Sequence, residues 1–169
     1  MDAASLDKVA RTARWNGGSI VVVAGLAALF AALDADVGTA LFGAAIAAAG
    51  AIEHRSGAAL ARGADRTWEP AYGRQVRGRL IGAELVVLVM IVGYSVWRLA
   101  TVDVAGEIAA LPDELREALV GLVGGDEALL AETFRLALDV TYTTLILVTL
   151  AYQGGMAWWY ARRLAPAAP

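Results

Sequence analysis

The chain has 169 residues, 59% of them hydrophobic, a mean hydropathy of +0.58 and a net charge of −3. A soluble domain is about 45–50% apolar, so the excess points to lipid. There is no cysteine, which excludes disulfides, thiolate-bound zinc, iron–sulfur clusters and thiol catalysis.

Residues 2–14 place Leu6, Val9, Ala10 and Ala13 on one helical face and Asp7, Lys8, Arg11 and Arg14 elsewhere. The preferred reading is a helical extension of the first apolar block. The other is a surface helix lying on anionic lipid. The first block runs from Trp15 to Leu33. Its basic leader resembles a signal peptide, but Leu33 and Asp34 interrupt any small-residue cleavage site. A helical hairpin fits better, because "DAD" at 34–36 leads at once into a second block, Val37 to Ile52, extendable through Glu53 and His54. Gly43, Ala47 and Gly50 on the second block, with Ala24, Ala28 and Ala31 on the first, predict closely spaced backbones.

The next connection carries Arg55, Arg62, Arg66, Arg74, Arg77 and Arg79. Thr67 suits an N-cap, so a helix is expected from about Trp68, with Pro70 in its first turn, leading into the third block at 80–100. Residues 103–138 form an acidic connection. Leu111, Leu115, Leu119 and Leu122 predict an amphipathic helix there, opened by Pro112 and ended by Gly124–Gly125. A further stretch from Asp126 is expected to enter the fourth block, about 139–160, with Asp139 as a cap at its boundary. That block presents Tyr142, Thr149 and Gln153 on one face. Trp158, Trp159, Tyr160, Arg162 and Arg163 follow as interfacial anchors.

These elements predict an all-α polytopic membrane protein. Four transmembrane helices, at about 15–33, 37–54, 80–100 and 139–160, form one antiparallel bundle with an amphipathic outer connection. Arginines gather before span one, between spans two and three and after span four, while the other two connections are acidic. The positive-inside rule then places both termini in the cytoplasm of what reads as a bacterial inner membrane.

The chemistry-bearing residues are few. His54 is the single histidine, and no hydrolase, Walker or dinucleotide motif occurs, so no catalytic, metal or cofactor site is predicted. The arginines are explained by topology, which leaves nucleic acid without support. An anionic lipid or an acidic protein is the partner they would suit. Glu84 is the sharpest feature, an ionisable group inside a span and a functional candidate by default. By helical rise it lies roughly 7 Å beyond Arg79, in the cytoplasmic third of the span. No basic residue sits three or four positions away on its own helix, so its partner is expected from another helix, water or another subunit. Three roles are open to it: a proton or cation pathway, a structural hydrogen bond or ion pair, and interfacial snorkelling. Glu84, Thr149, Gln153 and His54 form the candidate polar site. Two functions follow. One is a self-associating structural or interaction component; the other is a homo-oligomeric channel or carrier lined by spans three and four.

Overall fold

The computed structural model describes residues 3–63 and 70–165, and every regular element in them is helical. α1 spans Ala3–Leu33, α2 Val37–Gly63, α3 Pro70–Thr101, α4 Val104–Ala109, α5 Asp113–Leu122 and α6 Glu127–Arg163. α1, α2, α3 and α6 are long and apolar enough to cross a membrane. They also outrun the apolar blocks. The 37 residues of α6 would extend about 55 Å at 1.5 Å per residue, against a hydrocarbon core of about 30 Å. Asp139 therefore lies inside a continuous helix, where its carboxylate meets Arg135 Nε at 3.2 Å. The N-cap is Asp126, whose Oδ1 accepts from the backbone N–H groups of Ala128 and Leu129 at 2.9 and 3.0 Å. Thr67 and Trp68 lie outside the described residues.

The chain divides into two units, 1–90 with 150–169, and 91–149. In the first, the "DAD" turn closes α1 with a Schellman motif. Asp36 N–H donates to Ala31 O at 2.8 Å and Ala35 N–H to Ala32 O at 3.2 Å, with Ala35 at φ 56°. Asp36 Oδ1 then accepts from Thr39 N–H at 3.0 Å and caps α2. Beyond this turn α1 and α2 touch through glycines in reverse order along the two helices. A Cβ on Gly43 would lie 3.0 Å from the backbone of Ala24 and Ala28, one on Gly50 2.8 Å from Gly17 O, and one on Gly57 2.8 Å from Ala10 O. The small-residue face expected of this hairpin is thus in contact.

The amphipathic N-terminal stretch is packed inside the protein rather than spread on a membrane surface. Leu6, Val9, Ala10 and Ala13 are buried in one cluster with Leu60 of α2, Val76 and Leu80 of α3, and Tyr160 and Leu164 at the end of α6. Outward-facing side chains such as Val23, Phe30, Val89 and Leu147 are large, apolar and exposed, the distribution a lipid-facing surface requires.

In the second unit, Arg98 pairs with Glu107 of α4 at 2.8 Å, and Arg135 donates to Leu99 O at 3.1 Å. Tyr94 meets Tyr142 edge-on at 6.5 Å. The predicted amphipathic helix is α5, closed by the same Schellman pattern with Gly124 and Gly125 at φ 70° and 86°.

Candidate functional site: a buried carboxyl pair

Four helices of the first unit deliver polar side chains to one place. On α3, Val76, Leu80, Ala83, Glu84 and Val87 recur at helical spacing and are all buried, so Glu84 sits on the inward face. On α6, Gln153, Ala157 and Tyr160 form the corresponding buried stripe, continued by Leu164 just past its end. On α2, Glu53 is flanked at i−3 and i+4 by Gly50 and Gly57, two of the glycines that bring that helix against α1. Opposite it stands Asn16, next to Gly17, at which an added Cβ would lie 2.5 Å from Gly50 O. The glycine contacts thus bring two backbones close enough for short polar arms to meet.

Asn16 is the hub. Its Nδ2 donates to Glu53 Oε1 and Oε2, each at 3.0 Å, and to Glu84 Oε1 at 2.9 Å. Its Oδ1 accepts from Tyr152 Oη at 2.8 Å, which fixes the orientation of the amide. Tyr160 Oη donates to Glu53 Oε1 at 2.6 Å. Asn16 is 9% exposed, Glu53 1%, Glu84 0% and Tyr160 0%. The ion pairs among the described residues involve neither glutamate. Among the described residues, the donors to these two adjacent buried carboxyl groups are neutral. Glu53 accepts three hydrogen bonds. Glu84 accepts one, and its Oε2 is buried without a partner.

This resolves the sequence expectation unevenly. The partner of Glu84 does come from another helix, but it is an amide rather than a cation, and full burial removes snorkelling. Gln153 lies two turns before Tyr160 on the same face of α6, and its Oε1 is likewise buried without a partner. Thr149 is buried, but belongs to the second unit. His54 is exposed and outside the cluster, its Nδ1–H donating to Arg14 O at 2.9 Å. Tyr160, expected among the interfacial anchors, is the fully enclosed donor to Glu53. Trp158 does stay exposed, with the Arg162 guanidinium 5.3 Å from its ring. Sequence reasoning missed Asn16, Glu53 and Tyr152. The signal for the first two was present: Asn16 and Glu53 lie almost equally far from the "DAD" turn, so closing the hairpin sets them opposite each other.

The arrangement can hold a single positive charge. Among the described residues no group of three or more His, Asp or Glu side chains is placed to bind a metal ion. The Asn16 N–H groups reach both carboxyls, and the two carboxyls also contact each other directly, an arrangement that suits a proton shared between carboxyl oxygens. No protein-family model, curated protein or solved structure matches the chain.

Proposed function

We propose that this protein is a small integral membrane protein that moves protons, its four spans packed as an antiparallel bundle around the Glu53–Glu84 pair. The observation that carries this reading is the enclosure of two carboxyls on one amide nitrogen, with no ion pair to either among the described residues. Two uncompensated charges at that depth would be expensive, and one shared proton removes much of the cost. A lock between helices would need only amides and hydroxyls. The uncapped Glu84 Oε2 is the atom where the exchangeable proton belongs, and Gln153 supplies a further polar group on the buried face of α6. The arginine distribution supports cytoplasmic termini, which puts the pair toward the cytoplasmic end of its spans.

The test is dissipation of a pH gradient by the purified chain in liposomes. The wild type is expected to collapse the gradient faster than empty liposomes, and Glu84→Gln to abolish the difference. A wild type no faster than empty liposomes, or a fully active Glu84→Gln, would overturn the reading.

A second reading, self-association through α6, is favoured by one observation. Thr143 and Thr144 are exposed beside Val140 and Asp139 along a shallow groove of about 280 Å³. Polar groups on an outer face at that depth are better satisfied by another copy than by lipid.

A further inference from the structure

The outer face of α1 carries a second feature, independent of the carboxyl pair. Arg11, Trp15, Gly18 and Val22 recur at helical spacing, and Arg14 borders this face on the side toward α2, where its carbonyl meets His54. Together with Val23, Ser19 and His54 of α2 they line an open groove of about 630 Å³. Its two ends differ in chemistry. At one end are two guanidinium groups. Arg11 is held by Asp7 at 2.7 Å, whereas the ion pairs among the described residues leave Arg14 out. At the other end Val22 and Val23 are 59% and 70% exposed, and they lie two turns, about 12 Å, further along a span-length helix. Gly18 keeps the middle of the track open. Trp15, 75% exposed, stands where the cationic end meets the apolar end, the level favoured by indole at a membrane interface.

We propose that this groove seats one anionic phospholipid, its phosphate on Arg14 and Arg11 and an acyl chain along Gly18, Val22 and Val23. Charge complementarity selects an anion. The passage from arginine to exposed valine on one helix face selects an anion that carries a hydrocarbon chain, so a free phosphate or an acidic peptide would leave the apolar half of the groove without a partner.

The experiment is native mass spectrometry of the full chain in detergent, titrated with phosphatidylglycerol or phosphatidylcholine. The wild type is expected to retain one phosphatidylglycerol in preference to phosphatidylcholine. Arg14→Gln, at an exposed side chain, is expected to weaken that retention about fivefold, the worth of one arginine near a charged lipid surface. Arg163→Gln, outside the groove, is expected to keep the wild-type preference, and Val22→Asn to weaken retention of both lipids. Equal retention of the two lipids by the wild type would overturn the proposal. So would wild-type preference in Arg14→Gln, an equal loss in Arg163→Gln, unchanged retention in Val22→Asn, or displacement of the lipid by inorganic phosphate alone.

Discussion

Asn16 serves two buried carboxyls with one nitrogen, and its carbonyl is oriented by Tyr152. Removing the amide leaves Glu84 with only its contact to Glu53 among the described residues, and Glu53 with Tyr160 and Glu84. A buried acceptor stripped of its donor costs about 1–3 kcal/mol, and more when it is charged. Asn16→Ala is therefore expected to lower unfolding stability in detergent by about 3 kcal/mol. A midpoint unchanged from the wild type would mean that the amide does not hold the pair. At this scale the sequence was only partly legible. Glu84 stood out because apolar neighbours surround it. Asn16 sits in "WNGG" and Glu53 in "AIEHR", each at the margin of an apolar block, where a polar residue reads as the edge of a span. What hid them is that α1 and α2 both continue well past their apolar blocks, to Ala3 and Gly63, so those margins are helix interiors.

The α1–α2 hairpin depends on glycine for contact rather than for backbone freedom. A Cβ at Gly17 would lie 2.5 Å from both Gly50 O and His54 N, and neither backbone atom can rotate away. Gly17→Ala must push the helices apart and draw Glu53 off Asn16. Overpacking of this kind costs about 1–3 kcal/mol, and proton flux should fall with it. Gly78, on an exposed face of α3 with nothing within 4 Å of an added Cβ, provides the contrast. Gly78→Ala should gain up to about 1 kcal/mol from helix propensity. If Gly17→Ala proves no more harmful than Gly78→Ala in the same unfolding assay, the close contact is wrong. Element identity was readable from apolar blocks, caps and the paired glycines at 124–125. The extent of α6 was readable in part: a stretch from Asp126 was expected to enter the fourth block, as it does, but Asp139 looked like a cap at the boundary of that block. In the structure its i−4 neighbour Arg135 answers the charge on the helix surface, so the helix has no reason to stop.

For the whole molecule, the absence of native cysteine makes orientation directly testable. Asp34, in the acidic turn, and Arg62, near the end of α2, are both exposed. A cysteine at 34 is expected to react with an impermeant thiol reagent from outside the cell, and a cysteine at 62 only after the membrane is opened. Labelling of both from the same side would contradict the arrangement in which α1 and α2 each cross the bilayer. The joining of four helices at one amide can be measured without substituting that amide at all, because Asn16 is the only asparagine in the chain. Selective nitrogen-15 labelling of asparagine gives one side-chain NH₂ pair in the NMR spectrum. That pair is predicted to exchange slowly with water and to shift on Glu53→Gln and on Glu84→Gln alike. A rapidly exchanging pair, or one that ignores either substitution, would contradict the shared carboxyl site on which the proposed proton pathway rests.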